Sequence, residues 1–146
     1  MATVKIQKLA VMGGPKSVKL TAPSWPIAGK QEVKWMTEVV KSGKWSWLGK
    51  HERAFCEEFA DFIGAKYAIG LANGTVTLQC ALQAAGVVPG DEVIVPAMTW
   101  VATAQAAMDI GANVVFVDID PETLVIDPAS VERAITKKTK AIMVVH

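Results

Sequence analysis

The chain has 146 residues, 51% of them apolar, and 15 Lys and Arg set against 14 Asp and Glu for a formal net charge of +1. That length suits one domain with a real core, or a portion of something larger. Near-neutral charge removes the long-range attraction that holds a polyanion, so nucleic acid and anionic membrane surfaces are excluded as first readings of its partners.

Residues 1–28 carry Gly13-Gly14-Pro15, Pro23 and Trp25-Pro26, a spacing of backbone breakers that predicts an extended arm. The amino terminus has scattered basic residues and no compact apolar run ending at a small-residue cleavage site. No run anywhere reaches the ~18 apolar residues of a membrane span. With only Cys56 and Cys80 present, neither near a second Cys or His at metal-ligand spacing, buried free thiols and a cytosolic setting are expected.

Residues 29–64 read as helices around a Trp-rich loop. Val33, Met36 and Val40 follow i, i+3, i+7 and predict a helix over 30–42, with Gly43 suited to its left-handed end. The stretch 43–50, GKWSWLGK, is a loop. Phe55, Phe59 and Phe62 restore helical spacing over 51–63, and Gly64 ends it.

From residue 65 to 146 the pattern becomes regular. A strand is predicted at 67–71, then a helix through Leu78, Ala81, Leu82 and Ala85 stopping at Gly86, then a Pro89-Gly90-Asp91 turn. Strands at 92–95 and 113–117 enclose a small-residue helix at 101–110. Asp127-Pro128 places an N-cap before a proline at the first helical position, opening a helix to about residue 135. A last strand is predicted at 140–145. Strands and helices alternating in this way specify an α/β unit with a mostly parallel sheet, helices on both faces, and binding loops at the carboxyl ends of strands. Because the chain stops directly after an apolar strand, it is expected to be part of a longer protein.

Two of those loops carry unusual chemistry. Asn73-Gly74-Thr75-Val76 opens the first helix of this region, where amides lacking intrahelical partners and the helix dipole favour a phosphate monoester. Gly74 allows close backbone approach and the Thr75 hydroxyl adds a donor. The same residues would equally serve as a plain helix cap. Trp100, after the next strand, can lie flat on a heteroaromatic ring or pack in the core. Asp118 and Asp120 sit in VDIDPET, whose composition favours loop hydrogen bonding over contact with a ligand.

The blocks NGTVTLQCAL, PGDEVIVPAMTWVATAQAAMDIGANVVFVDIDPETLVIDP and AITKKTKAIMVVH resemble, in order and spacing, those of the DegT/DnrJ/EryC1/StrS aminotransferases. GGPKSV, SWPIAGKQEV, SGKWSWLG and FCEEFADFIGAKYAIGLANGT are similar to the branch containing aminocyclitol aminotransferases and 3-amino-5-hydroxybenzoate synthase. This resemblance implies an incomplete large domain of the fold type I pyridoxal-phosphate (PLP) enzymes and a homodimer with shared sites. It implies that Gly74, Thr75 and Val76, the last through its backbone amide, hold the cofactor phosphate, and that Trp100 stacks on the pyridine. It puts a histidine at position 146, readable as a general base or as a polar strand end. Trp25, Trp45 and Trp47 either line a substrate entrance or pack the arm onto a subunit. The carboxylate that holds the pyridine nitrogen and the lysine that binds PLP are expected beyond His146, so no catalytic residue is assigned within the chain and these 146 residues alone should be inactive.

The expected activity is transfer of an amino group from glutamate or glutamine, through pyridoxamine phosphate (PMP), to a keto-sugar or keto-cyclitol. Two alternatives stand beside it: a PMP-dependent sugar dehydratase of the same family, and a non-catalytic binding or sensory relative.

Overall fold

A computed structural model describes residues 8–45 and 49–146, and the chain divides into two compact units, Met1–Phe55 and Cys56–His146. In the first, the arm from Lys8 onward is exposed and lacks regular structure apart from one 3-10 turn at Ala10–Met12. Helix α1 (Lys30–Ser42) occupies the predicted residues. The Gly29 amide donates to the Glu32 carboxylate at 2.6 Å, half of a capping box, and Gly43 closes the helix at φ 68°. Helix α2 (Lys50–Ile63) starts one residue before the predicted position and carries the chain from one unit into the other.

The second unit contains α3 (Gly74–Ala84), β1 (Glu92–Pro96), α4 (Val101–Asp109), β2 (Asn113–Val117), α5 (Pro128–Ala134) and β3 (Thr139–Ile142). The three strands form a parallel sheet in the order β2-β1-β3. β1 pairs with β2 from Glu92↔Asn113 to Pro96↔Val117. Central β1 is apolar throughout its middle because both of its faces are covered: Val93, Ile94 and Val95 are fully buried. Alternation sends Val93 and Val95 into a cluster with Leu82 of α3 and Ala107 of α4, while Ile94 joins Val117, Ile126 and, from α5, Val131 and Ala134. Helices α3 and α4 therefore cover one face and α5 the other. The expectation of a mostly parallel sheet between helical layers holds.

Three local expectations change. Residues 67–71 do not form a strand, and Tyr67 and Ile69 are exposed. A strand exists only where a neighbour supplies backbone partners, and no described strand lies beside this segment. The last strand runs Thr139–Ile142 and not to residue 145; Met143 adds one further bond to the Ile94 carbonyl at 2.9 Å. Cys80 is exposed and Cys56 half-buried, so the buried-thiol expectation fails for Cys80, although both are free. No described helix is long and apolar enough to cross a membrane.

Two turns are specified by backbone conformation. Gly111 ends α4 at φ 81°, and a Cβ there would lie 3.0 Å from Pro89 Cβ, so the turn closes only because no side chain intervenes. Leu124, in the connection after β2, holds φ 61° without being glycine. Its conformation costs about 1–2 kcal/mol, retained because the Leu124 amide donates to the Asp120 carbonyl at 2.8 Å and the Asp120 amide to that of Val125 at 2.9 Å. Leu124→Asn should raise the melting temperature, since asparagine tolerates this region and the leucine is exposed. Gly111→Ala should destabilise by about 1–3 kcal/mol. Thermal denaturation of both variants checks the pair, and opposite signs are the expected outcome.

Candidate functional site

The connections leaving the sheet decide where a ligand can sit. After β1 the chain turns to α4 on one face, and after adjacent β2 it turns to α5 on the other. The two strands stay joined as far as the Ala97 amide, which donates to the Val117 carbonyl at 2.9 Å. Beyond it their loops diverge, the arrangement that opens a crevice at the carboxyl edge of a parallel sheet. Trp100 stands on one of these loops and Asp118 and Asp120 on the other.

Trp100 is the N-cap residue of α4, with an extended backbone at φ −67° and ψ 141°. Its side chain is 78% exposed. The indole belongs to neither apolar cluster of the second unit. Below it, the hydroxyls of Thr99 and Thr103 share a hydrogen bond of 2.8 Å, which fixes the first turn of α4.

At the start of α3 some backbone donors are bonded and others are open. Asn73 is the N-cap, and its side-chain Oδ1 accepts from the Val76 amide at 3.1 Å. The Asn73 carbonyl accepts from the Thr77 amide at 3.1 Å and from the Thr77 hydroxyl at 3.0 Å. Among the described residues the Gly74 and Thr75 amides have no partner, and neither has the Thr75 hydroxyl. A Cβ on Gly74 would meet nothing within 4 Å, and no acidic residue lies in the first turn. Hence the turn offers two amides and a hydroxyl under a positive dipole end, with no acidic residue of its own. The sequence reading counted the Val76 amide in this donor set; the structure commits it to Asn73.

Of the remaining predicted positions, Trp25 and Trp45 belong to the first unit and His146 to the second. Trp25 is 88% exposed in the first unit. Trp45 in that unit donates from Nε1 to the Val40 carbonyl at 3.2 Å. Trp47 lies outside the described residues. His146 is exposed and four positions past the end of β3, so it is not the strand-end residue it was expected to be. Asp120 behaves as the loop residue its context suggested: Oδ1 accepts from the amides of Thr123 and Glu122 at 2.8 and 2.9 Å and from the Thr123 hydroxyl at 3.2 Å.

One cluster escaped the sequence reading. In the first unit, His51 Nε2 lies 3.1 Å from Glu38 Oε2 and its ring 6.3 Å from that of Trp35, beside a cleft of about 450 Å³ lined also by Trp45, Lys50 and Arg53. Helical spacing marks faces within each helix and does not say which residues of two helices meet. Among the described residues no group of His, Cys, Asp and Glu is arranged to hold a metal ion.

The second unit, a parallel sheet with helices on both faces, is of the doubly covered α/β class. Comparison with known proteins makes the assignment specific. The chain belongs to the DegT/DnrJ/EryC1/StrS aminotransferase family, which matches residues 26–146. It is 44% identical over 144 residues to an L-glutamine:scyllo-inosose aminotransferase of Streptomyces griseus, a match covering 94% of this chain and 34% of that protein. The crystal structure of 3-amino-5-hydroxybenzoic acid synthase superposes with a TM-score of 0.81 at 42% identity, over 85% of this chain and 33% of the other. GDP-4-keto-6-deoxy-D-mannose-3-dehydratase from E. coli, solved with hydrated PLP bound, gives a TM-score of 0.72 at 32% identity, over 86% and 33% of the two chains. The sheet and its helices are thus part of a fold type I large domain, and the chain spans about a third of the length of the relatives it matches.

The rim after β2 is held by carboxylates. Hydrogen bonds from the Thr123 and Glu122 amides lower the pKa of Asp120 below its ordinary 3.8. The Ser130 hydroxyl, followed by the Ala129 amide, does the same for Asp127, the N-cap of α5. Lowered folded values contribute stability that is present above the unfolded pKa of about 3.9 and is lost as pH falls through the folded values. Asp127→Asn keeps a capping side chain without the titration, so its melting temperature should fall less steeply than that of the parent between about pH 5 and pH 2. Parallel pH profiles would show that Asp127 takes no part in acid unfolding.

Proposed function

We propose that this chain is the cofactor-phosphate part of a PLP-dependent aminotransferase that moves an amino group from glutamine or glutamate to a keto-cyclitol or keto-sugar. The observation carrying this reading is the donor set at the start of α3, where the Gly74 and Thr75 amides and the Thr75 hydroxyl are all uncommitted among the described residues. A phosphate monoester needs several donors and room, and α3 offers both, with no acidic residue in its own first turn. When bound, PLP supplies an electron sink and, as PMP, a temporary carrier for the amino group.

In this reading Gly74 and Thr75 would hold the phosphate through their amides and the Thr75 hydroxyl. The Trp100 indole would stack on the heteroaromatic ring. Glutamine as donor and a keto-cyclitol as acceptor follow the relative's name. A homodimer in the cytoplasm completes the proposal. The lysine and the ring-nitrogen carboxylate are assigned to the part of the protein beyond His146. The dehydratase alternative turns on whether that later position is lysine or histidine.

Full-length protein incubated with PLP, glutamine and a keto-cyclitol should yield the amino-cyclitol, detected by mass spectrometry. A deoxy-keto product from a nucleotide-linked 4-keto sugar would favour the dehydratase, and retention of PLP without either product would favour a binding protein. Within the full-length protein, Thr75→Val should weaken PLP retention about 10-fold or more, the scale of a hydrogen bond to a charged group. Trp100→Ala should cost about 1–3 kcal/mol of cofactor binding. Unchanged retention in both variants would remove the site from α3 and the β1 loop.

A further inference from the structure

We propose that the cleft between the end of α1 and the start of α2 in the first unit binds a neutral, polyhydroxylated six-membered ring; its use as the acceptor's site rests on the aminotransferase reading above. The cleft, of about 450 Å³, is lined by Trp45, Glu38, His51, Lys50, Glu52 and Arg53 among others. That volume falls in the range of small-molecule sites, roughly 300–1,000 Å³. One wall is fixed by the contact of His51 Nε2 with Glu38 Oε2 at 3.1 Å, which joins the two helices, and by Trp35 against the His51 ring. Trp45 is fixed as well: its Nε1 donates to the Val40 carbonyl at 3.2 Å, yet the side chain is 72% exposed. Its polar end is thus spent within the unit, and what remains open is apolar ring.

The mixture of side chains selects the ligand class. Lys44, Lys50 and Arg53 line the cleft together with Glu38 and Glu52. Among the described residues the side chains of Lys44, Lys50, Glu52 and Arg53 have no hydrogen-bond or ion-pair partner. A hydroxyl both donates and accepts, so a ring carrying several of them matches carboxylate acceptors and cationic donors set side by side. Bonds from a hydroxyl to these charged groups are also stronger than neutral ones. The C–H faces of such a ring are apolar and fit an indole that offers no donor. An anion would be opposed by the two carboxylates, a cation by the three basic side chains, and a wholly apolar ligand would strip water from all five charges without replacing its hydrogen bonds.

The test titrates full-length protein with myo-inositol, a cyclitol that has no keto group to react, by calorimetry, and measures KM for a keto-cyclitol, PLP retention and melting temperature on the same variants. Glu52→Ala and Arg53→Met should each weaken myo-inositol binding and raise KM about 10-fold, with PLP retention and melting temperature near those of the parent. Trp45→Ala should do the same to binding, and Trp45→Phe, which keeps an apolar ring, should recover most of the loss. Parent-like affinity and KM in Glu52→Ala and Trp45→Ala would overturn the site, as would a parent that does not bind myo-inositol. Tighter binding of inorganic phosphate than of myo-inositol would overturn the ligand class. If the variants lose myo-inositol but the parent makes no amino-cyclitol, the cleft stands and the aminotransferase reading falls. If the parent makes amino-cyclitol and the variants keep its KM, the reaction stands and the cleft does not serve it.

Discussion

Burial of β1 on both faces is the constraint from which the arrangement of this chain follows. A parallel strand between two others has no edge exposed to water, so Val93, Ile94 and Val95 must each find an apolar partner, alternately above and below the sheet. Leu82 and Ala107 meet one side, and Val131 and Ala134 are drawn in around Ile94 on the other. Helices on opposite faces require connections that part company after β1 and β2. That divergence is thus a by-product of covering the strand.

At the start of α3 the relevant principle is accounting for backbone donors. A helix leaves its first amides without partners, and each must find a side chain, water or a ligand. In this chain Asn73 takes the Val76 amide, while the next two amides after the cap stay open together with the Thr75 hydroxyl among the described residues. No acidic side chain in the first turn competes for the dipole's positive end. Open Trp100 contributes a different property: an indole 78% exposed at a helix start has a large apolar face that water hydrates poorly and that a heteroaromatic ring can cover.

Relatives that share this fold do not share one reaction. A glutamine-dependent inosose aminotransferase and a keto-sugar dehydratase both match nearly all of the chain. Those matches cover about a third of either protein, so the shared part holds features common to both chemistries. Anchoring a phosphate and flanking a ring, the roles proposed for Thr75 and Trp100, would be indifferent to what happens at the substrate's carbon. Fold and cofactor class are therefore set at a different level from substrate and reaction type.

Helices α1, α2, α4 and α5 were legible to within a residue or two because apolar spacing, caps and terminal glycines are local signals, read over one or two turns. β1 and β2 were legible for a related reason: each is a short apolar run bounded by turn residues, and their mutual pairing merely confirms what the run suggests. Residues 67–71 are also mostly apolar yet form no strand, because a strand depends on a neighbour's backbone and composition carries no information about neighbours. The likeness of Gly74, Thr75 and Trp100 to a cofactor site was visible in residue type and order alone. Whether an amide is free or already bonded, whether an indole is open or packed, and that His51 meets Glu38 depend on distances between parts of the chain, and those only the folded arrangement decides.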